Sequence, residues 1–347
     1  MDVSLFDYDL PERLIAQHAA GRGASRLLVL DRRTGQCTHT TVAELPAWLA
    51  AGDLLVVNDT RVYPARLLGR RDPSGGAVEC LLLERLDDDR WDALVHPGQK
   101  LRVGERVVFE GRGFRLRGEI LERRFFGRRV VRLAVEAGPG LEACIDAVGH
   151  VPLPPYIKRV DESADRERYQ TVYARARGSV AAPTAGLHFS DALLAAIEAR
   201  GVERAALTLH VGYGTFKPVR AERVEEHTVD PEPFEISESA AAAIQRARAE
   251  RRRLVAVGTT TTRALETAVR MGKGEIQPGT ARTDLFIYPG FEFRIVGGLL
   301  TNLHLPRSSL LMLVAAFGGR ERVLSAYREA VAQEYRFYSY GDAMLVV

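Results

Sequence analysis

The stretch Gly178-Ser-Val-Ala-Ala-Pro-Thr-Ala-Gly-Leu-His-Phe189 gathers small side chains, a proline, a threonine hydroxyl and an imidazole. Small side chains bury little apolar surface, so this run indicates a close approach of the backbone to another group rather than core packing. An ordinary loop before a helix is the alternative interpretation. Ser190 follows at once and is a typical helix cap, and an apolar-periodic segment runs from it to Arg200. The stretch is therefore predicted to open a helix of an α/β domain.

Strand-like and helix-like segments alternate on both sides of this stretch. Strands are predicted at 26–31, 54–57, 206–211, 254–257, 284–288 and 299–303. Helices are predicted at 45–50, 190–200, 237–252, 264–271, 309–317 and 320–335. This alternation predicts the α/β class.

Between residues 62 and 149 the sequence instead predicts short strands separated by turns. Strands are predicted at 78–83, 91–95, 106–109, 114–120 and 129–135, and no helix of convincing length is predicted in this segment. The spacing predicts a small antiparallel β-barrel domain at 62–149, inserted into an α/β catalytic domain formed by 1–61 and 150–347. Arginines crowd one segment of the insert, at positions 112, 115, 117, 123, 124, 128, 129 and 132. They are equally consistent with a solvated strand face and with a surface that contacts phosphates.

Several predicted strands end in a turn that carries polar residues. Asn58 to Arg61, His210, the run from Thr259 to Arg263, and the run from Thr301 to His304 all lie at such ends. Carboxyl ends of strands in an α/β sheet meet at one crevice, so we expect these residues to line one site. A helix starting after Thr262 would direct its backbone N–H groups and positive dipole end into that crevice.

Composition limits the classes of protein that need to be considered. The chain has 347 residues and a net charge of +3, which permits an anionic partner without requiring one. The acidic amino terminus lacks the pattern of a secretory signal, and the apolar runs are too short to span a bilayer. The three cysteines are scattered, which argues against a disulfide framework and a structural zinc site. We expect a soluble cytoplasmic protein with no membrane partner.

Three histidines, His188, His210 and His304, lie at the polar turns. A histidine trio can bind zinc and leave a position open for water. Acid–base chemistry is favoured for this set, because no carboxylate or cysteine recurs beside them as a further ligand. No metal is therefore expected. A dinucleotide fingerprint, a P-loop and a nucleophile elbow are all missing from the sequence.

Long motifs distributed along the chain closely resemble those of the S-adenosylmethionine:tRNA ribosyltransferase-isomerase family. The segments that carry the resemblance are Gly52-Asp-Leu-Leu-Val-Val-Asn-Asp-Thr-Arg-Val62, Val151-Pro-Leu-Pro-Pro-Tyr-Ile157, Tyr169-Gln-Thr-Val-Tyr173, Ala181-Ala-Pro-Thr-Ala-Gly-Leu-His-Phe189, Leu209-His-Val-Gly-Tyr-Gly-Thr-Phe216, Val257-Gly-Thr-Thr260, Phe286-Ile-Tyr-Pro-Gly290 and Tyr335-Arg-Phe-Tyr-Ser-Tyr-Gly-Asp-Ala-Met344. The resemblance runs from Phe6 to Met344 and is weakest in the predicted insert.

The resemblance implies an enzyme of queuosine biosynthesis. Such enzymes isomerise the ribosyl part of S-adenosylmethionine and attach it to the aminomethyl group of 7-aminomethyl-7-deazaguanine in the tRNA anticodon. The products are epoxyqueuosine in tRNA, adenine and methionine. S-adenosylmethionine is then a consumed substrate, and no cofactor is expected. The implied partners are that tRNA and S-adenosylmethionine, and we expect a monomer.

The reaction implied by the resemblance assigns roles to residues by type and motif position. His188 and His210 are the predicted proton carriers, and Asp59 or Asp342 is predicted to pair with a cationic centre. The residues predicted to bind S-adenosylmethionine are Thr184, Gly186, Gly212, Thr215, Thr259, Arg263, Thr301, Asn302 and His304. Those predicted to bind the tRNA or its displaced base are Arg61, Tyr156, Lys158, Arg159, Tyr169, Tyr340 and Asp342.

The sequence departs from the family pattern at a few positions. A second histidine usually follows the position of His227, where this chain has Asp230, and Gly297 replaces a frequent aspartate. Leu303 stands where phenylalanine is usual. Two other functions are considered: an S-adenosylmethionine-dependent tRNA methyltransferase, and a non-catalytic RNA-binding protein that uses the arginine-rich barrel.

Overall fold

The computed structural model describes residues 1–216 and 219–347, apart from the side chains of Phe126 and Phe216, the latter closing one of the quoted motifs. The strands are β1 Arg26–Leu30, β2 Cys37–Thr41, β3 Leu54–Asn58, β4 Thr60–Val62, β5 Arg66–Asp72, β6 Ala77–Arg85, β7 Arg90–His96, β8 Arg106–Gly111, β9 Phe114–Arg123, β10 Arg128–Ala137, β11 Ala176–Ser179, β12 Glu203–Leu209, β13 Glu232–Ile236, β14 Leu254–Val257, β15 Gly279–Thr283, β16 Gly298–Asn302 and β17 Ala343–Val346. The helices are α1 Leu141–Val148, α2 Asp165–Arg168, α3 Asp191–Ala199, α4 Glu238–Ala249, α5 Thr259–Met271, α6 Ser309–Gly318 and α7 Arg320–Ala332. Short 3₁₀ turns lie at Val3–Phe6, Glu12–Leu14, Val42–Trp48, Phe125–Gly127, Thr184–His188, Tyr213–Phe216 and Val224–Glu226.

The main sheet is mixed. Within the described residues it has nine strands in the order β15-β13-β12-β3-β14-β16-β17-β1-β2. Its centre, β12-β3-β14-β16, is parallel, whereas β17 runs antiparallel to β16 and parallel to β1. The predicted α/β class is confirmed.

Strand β3 shows how the sheet separates two cores. Leu54 and Val56 belong to the core that contains residues of α4 to α7, whereas Leu55 and Val57 belong to the core that contains residues of α3. Successive side chains of a strand point to opposite faces, and each buried leucine or valine contributes about 1.5–3 kcal/mol. Because a one-residue slip would exchange these two faces, β3 has a fixed register, and its carboxyl end has a fixed position.

Six antiparallel strands form a closed ring in the order β10-β7-β6-β5-β8-β9. Leu67, Leu82, Phe109, Leu116 and Leu133 are buried inside it. The expectation of no helix in the 62–149 segment is wrong, because α1 adds Cys144, Ile145 and Val148 to the same core.

Other element predictions differ from the structure at identifiable places. Helix α5 begins at Thr259, five residues before the predicted start at 264. No strand forms at 284–288; instead the carbonyl of Leu285 accepts a hydrogen bond from Arg263 Nε at 2.9 Å. Strands β2, β4, β5, β11, β13, β15 and β17 were not predicted. The outer strands β2 and β15 carry mostly part-exposed residues, so they lack the apolar run that marks a buried strand.

Candidate functional site

A cavity of about 510 Å³ lies at the carboxyl edge of the main sheet, and we call it the inner cavity. Its walls come from the ends of β12, β14 and β16 and from part of the stretch that opens helix α3. The predicted site residues that line it are Tyr156, Thr184, Thr215, Thr259, Thr301, Asn302 and His304. The volume lies in the range of small-molecule sites, roughly 300–1,000 Å³. The predicted crevice therefore exists and collects most of the residues expected to bind S-adenosylmethionine.

The amino terminus of α5 faces the inner cavity through Thr259 and Thr260. The first intrahelical bond runs from Thr262 N to the carbonyl of Gly258 at 3.2 Å, and the Thr261 and Thr262 hydroxyls donate back to carbonyls. In the described part of the chain, the Thr259 and Thr260 hydroxyls have no such bond, although the two residues are only 7% and 6% exposed. Backbone N–H groups, two hydroxyls and the positive end of the helix dipole therefore converge on the cavity, as suits a carboxylate.

His188 lies behind the wall of the inner cavity. Asn302 donates from Nδ2 to His188 Nε2 at 3.2 Å and to the carbonyl of Tyr338 at 3.2 Å. The Asn302 Oδ1 accepts from the Thr184 hydroxyl at 3.0 Å. Burial lowers the pKa of His188 to about 4, so the ring is neutral at pH 7 and accepts the amide hydrogen bond. His188 thus fixes the orientation of Asn302 and Thr184 and does not itself reach the cavity.

His304, unlike His188, lies in the wall of the inner cavity, and its imidazole is neutral. Its Nε2 is 2.8 Å from the Thr301 hydroxyl, and burial lowers its pKa to about 3. The backbone of His304 is held by two tyrosines, with its N–H donating to Tyr327 and its carbonyl accepting from Tyr8. The ring presents a fixed polar edge to the inner cavity.

His210 lies in a second cavity, of about 410 Å³, between the six-stranded ring and the main sheet. We call it the barrel-side cavity; Tyr63 and Trp91 line it from the ring, and Val211 lines both cavities. The expectation that His210 shares one crevice with His304 is therefore wrong. His210 is the last residue before a turn that leads the chain away from the sheet, so its ring lies on the other side of Val211.

Among the described residues, only one nitrogen of the His210 ring has a hydrogen-bond partner. Its Nδ1 is 2.8 Å from the Thr60 hydroxyl, which also contacts the carbonyl of Ala176 at 3.4 Å. If the hydroxyl donates to that carbonyl, His210 carries its proton on Nδ1 and keeps Nε2 as an acceptor. Burial lowers the pKa of His210, against the attraction of the Asp59 and Glu235 carboxylates. The ring is therefore a neutral base at pH 7.

Two glycines of the opening stretch make close approaches to side chains. A Cβ at Gly178 would lie 2.8 Å from Nε2 of His210, and a Cβ at Gly186 would lie 2.3 Å from the Tyr173 hydroxyl. Real Cβ atoms do not tolerate such distances, so both positions need glycine. The predicted binding of S-adenosylmethionine by Gly186 has no support in its position, because the backbone packs against Tyr173 and Thr171 there.

Glu232 was not predicted as a site residue, yet it connects the two cavities to helix α5. Its Oε1 accepts from Gly212 N at 2.9 Å and from the Thr215 hydroxyl at 3.1 Å. Its Oε2 accepts from Arg263 Nη1 at 2.6 Å. The other nitrogens of Arg263 donate to carbonyls, so Arg263 holds the loop that carries Gly212 and Thr215 and does not line the inner cavity.

Two predicted acidic residues are committed to structural contacts. Asp59 accepts from the Thr208 hydroxyl at 2.6 Å and from Arg175 at 2.9 Å. Asp342 accepts from the backbone N–H of Arg26 at 2.9 Å and of Arg336 at 2.8 Å. Neither lines the inner or the barrel-side cavity. Their predicted pairing with a substrate cation is therefore replaced by pairing within the protein.

Several predicted tRNA contacts form a buried group that we call the Asp165 network. Arg159 donates to both oxygens of Asp165 at 2.7 and 2.8 Å, and the Tyr340 hydroxyl donates to it at 2.8 Å. Tyr169 packs edge-on against Tyr340 with ring centroids 5.9 Å apart. These contacts occupy the guanidinium of Arg159 and the buried ring faces of the two tyrosines. They give Arg159, Tyr169 and Tyr340 a structural role in place of the predicted contact with tRNA.

The remaining predicted tRNA contacts lie in different surroundings. Arg61 is exposed on β4, and Lys158 is exposed and pairs with Glu12. Tyr156 lines the inner cavity and packs against Tyr338, with centroids 3.9 Å apart. Tyr338 was not predicted as a site residue. It lines the inner cavity, whereas Tyr340 does not. Its backbone φ is +74°, which is rare for tyrosine.

The three positions at which this chain departs from the family pattern lie in different surroundings. Asp230 lines the barrel-side cavity, whereas Gly297 precedes β16 at the opposite end of that strand from Thr301 and Asn302. Leu303 is fully buried. Of these positions, Asp230 is the one placed to affect a bound molecule.

The three histidines do not converge. Across residues 1–216 and 219–347, no group of three or more His, Cys, Asp or Glu side chains is arranged to hold a metal ion. Nor is any helix in those ranges both long and apolar enough to cross a membrane.

Comparison with known proteins identifies the family. A family model described as "Queuosine biosynthesis protein" matches residues 3–346. Relatives from Heliobacterium modesticaldum and an Anaeromyxobacter species, both named S-adenosylmethionine:tRNA ribosyltransferase-isomerase, are 51% and 54% identical. Each alignment covers 100% of this chain, and 100% and 99% of the relative.

A solved structure supports the same assignment. The crystal structure of S-adenosylmethionine tRNA ribosyltransferase from Thermotoga maritima is 38% identical, with 99% of this chain and 100% of that chain covered and a TM-score of 0.57. The chain therefore belongs to the queuosine biosynthesis protein family, as the resemblance of its motifs predicted.

Proposed function

We propose that this enzyme transfers and isomerises the ribosyl part of S-adenosylmethionine onto the aminomethyl group of 7-aminomethyl-7-deazaguanine at the tRNA wobble position. The products are epoxyqueuosine in tRNA, adenine and methionine. S-adenosylmethionine is consumed, and no further cofactor takes part. The names of close relatives support the two substrates, and the site supports how they are arranged.

The observation that carries the proposal is the pair of cavities that meet at Val211. A reaction that joins two substrates needs two binding sites whose reacting atoms meet. The inner cavity takes S-adenosylmethionine and the barrel-side cavity takes the modified base. The ribosyl group is then transferred where the two sites border each other at Val211.

The inner cavity suits the groups of S-adenosylmethionine. Its methionine carboxylate lies at the amino terminus of α5, beside the Thr259 and Thr260 hydroxyls. The polar wall formed by Thr184, Thr301 and Asn302 is oriented by hydrogen bonds and bonds the ribose hydroxyls. These groups bind and orient the substrate without supplying a formal charge.

His210 is the proton acceptor that the geometry favours. The aminomethyl group is protonated in water and must lose a proton before its nitrogen can attack carbon. His210 is neutral, faces the barrel-side cavity and keeps Nε2 open beside Gly178. His188 acts on the reaction through Asn302, as a positioning residue.

The segment 62–149 is proposed to act as an inserted β-barrel domain that supplies one side of the tRNA site. Tyr63 and Trp91 line the barrel-side cavity opposite His210. Aromatic side chains at such a wall suit a base displaced from its stack.

The test is incubation with S-adenosylmethionine and tRNA that carries the aminomethyl-deazaguanine, followed by mass analysis of nucleosides and small molecules. We expect epoxyqueuosine with equimolar adenine and methionine. S-adenosylhomocysteine would indicate a methyltransferase instead. Binding of that tRNA without consumption of S-adenosylmethionine would indicate a non-catalytic RNA-binding protein.

A further inference from the structure

The turn between β9 and β10 displays an aromatic ring to solvent. Phe125 is 86% exposed, more than any other large hydrophobic residue of the described chain. It lies in the 3₁₀ turn Phe125–Gly127. Exposing a phenylalanine forgoes about 1.5–3 kcal/mol of burial free energy, so the position calls for an explanation outside the folded core.

The turn that carries Phe125 is held in place from behind. The buried guanidinium of Arg129 donates to the carbonyl of Leu101 at 3.2 Å and also to that of Gly98. Across the turn, Arg124 N donates to the carbonyl of Arg128 at 2.9 Å. These contacts present the ring from an ordered support, as a stacking platform requires.

Cationic side chains surround Phe125. Arg124 and Arg128 share the buried carboxylate of Asp92, at 3.5 and 3.4 Å, and Arg124 also pairs with Glu122 at 3.2 Å. For Arg123 and Lys100, no carboxylate lies within ion-pair distance among the described residues. The turn therefore keeps a positive excess, unlike Arg115 and Arg117 further along the ring, which share Glu136 at 3.0 Å.

A groove of about 1,060 Å³ leads from this turn toward the proposed base site. Arg123, Phe125 and Arg128 line its ring side, and Arg220 lies on the other. Arginines outnumber the two glutamates, Glu122 and Glu226, in this lining. The groove and the barrel-side cavity have four lining residues in common: Leu83, Arg128, Tyr213 and Asp230. A polyanion in the groove would thus be continuous with a base in the barrel-side cavity.

We propose that Phe125 stacks on an unpaired anticodon-loop base next to the modified nucleotide, while Arg123 and Arg128 contact the neighbouring phosphates. The inference rests on the proposed function for its RNA substrate. An aromatic face among arginines is the chemistry that binds single-stranded RNA without reading its sequence. One exposed ring within a cationic surface offers too little apolar area for a stable protein interface.

The test measures binding of a fluorescent anticodon stem-loop RNA by anisotropy at several salt concentrations, without S-adenosylmethionine. Phe125→Ala is expected to weaken binding about tenfold or more, and Phe125→Trp to retain it. Val103→Ala is the matched control, because Val103 is 61% exposed but does not line the groove, and it is expected to bind like wild type. Arg123→Gln is expected to reduce the slope of log affinity against log salt by about one.

The outcomes separate this inference from the proposed function. If wild type binds the RNA tightly and Phe125→Ala binds equally well, the stacking inference is wrong and the proposed function stands. If wild type neither binds the RNA nor consumes S-adenosylmethionine with the modified tRNA, the proposed function fails first. A change in the oligomeric state of Phe125→Ala by light scattering, with RNA affinity unchanged, would assign Phe125 to self-association instead. Thermal unfolding checks that each variant is folded.

Discussion

The two cavities and the Asp165 network contain the same kinds of residue but differ in how their polar groups are used. In the network, Arg159, Asp165 and Tyr340 bond to one another. In the cavities, Nε2 of His210 and the Thr259 and Thr260 hydroxyls have no hydrogen-bond partner among the described residues, and all three residues line a cavity wall. A polar group without a protein partner can bind a ligand, whereas a paired group stabilises the fold.

The comparison therefore predicts two kinds of variant. Changes to open groups should reduce turnover and leave the free energy of unfolding nearly unchanged. Changes to paired groups should lower the free energy of unfolding and leave turnover nearly unchanged.

The largest expected effect is on turnover, from His210→Ala. Removal of the proposed proton acceptor should lower kcat by roughly 10²- to 10⁴-fold, with a thermal midpoint close to wild type. Single-turnover kinetics and thermal unfolding measure the two quantities. His18→Ala is the control, because His18 is exposed and lines neither cavity. A kcat of His210→Ala equal to that of the control would remove His210 from the chemistry.

The next effect is on stability, from Asp165→Asn. The substitution removes the buried carboxylate partner of Arg159 and leaves the exposed Glu162 at 3.9 Å, which should cost about 3 kcal/mol in the free energy of unfolding. Turnover per folded molecule should stay near wild type. Urea unfolding followed by activity at saturating substrate checks both. Lys158→Ala is the control, because its pair with Glu12 is exposed and should contribute little to stability. A large loss of kcat in folded Asp165→Asn would contradict the comparison.

A smaller effect is the pH dependence of stability. Burial lowers the pKa of His188 to about 4 and of His304 to about 3, below the value near 6.5 in an unfolded chain. The unfolded state therefore binds protons first as the pH falls, so stability is lost below about pH 6.5. The loss should be about 2 kcal/mol per histidine between pH 6.5 and 5.

Urea unfolding across this pH range measures that loss. His304→Gln should show a shallower fall than wild type, because one of the two histidines no longer takes up a proton on unfolding. Parallel curves for the two proteins would show that His304 is not buried in its neutral form.

The smallest expected effect comes from a single methyl group, in Gly178→Ala. The new Cβ would lie within 2.9 Å of the His210 ring and must displace it. We expect kcat to fall roughly tenfold, because the ring leaves its productive position. Gly212→Ala tests the same kind of change in the same cavity, where the nearest atom would be 3.8 Å away, and should have little effect. Equal activity of the two variants would argue against the open position of His210.

The elements that could be predicted are those whose signals are local. Strand β3 is a run of apolar residues, and Ser190 and Ser237 both cap helices by accepting a backbone N–H. Strand β17 is fully buried but too short to stand out in the sequence. Helix α1 was missed inside a segment whose turns and strands repeat about every ten residues.

The candidate site was predictable to the level of its sheet edge. Thr184, Thr259, Thr301 and Asn302 were placed there correctly, because strand ends converge in this class of fold. The direction of single side chains was not predictable. Arg263 lies in the second turn of α5 because the helix starts early, and it therefore points to Glu232.

The ion pair between Arg159 and Asp165 could not be predicted from the sequence either. Arg159 and Asp165 are six residues apart, which fits no helix or strand contact rule, so only the fold shows that they meet.

Strand β17 has a consequence for synthesis of the chain. It joins β1 and β2 to the rest of the main sheet, and Asp342 beside it binds the backbone of Arg26, 316 residues away. A ribosome makes β1 and its hairpin partner β2 early, but the strand on the other edge of β1 comes last. Through most of translation that edge of β1 and the apolar side chains of Leu27 to Leu30 have no sheet to join. The nascent chain therefore exposes an unpaired strand edge beside apolar side chains, which chaperones can bind until β17 emerges.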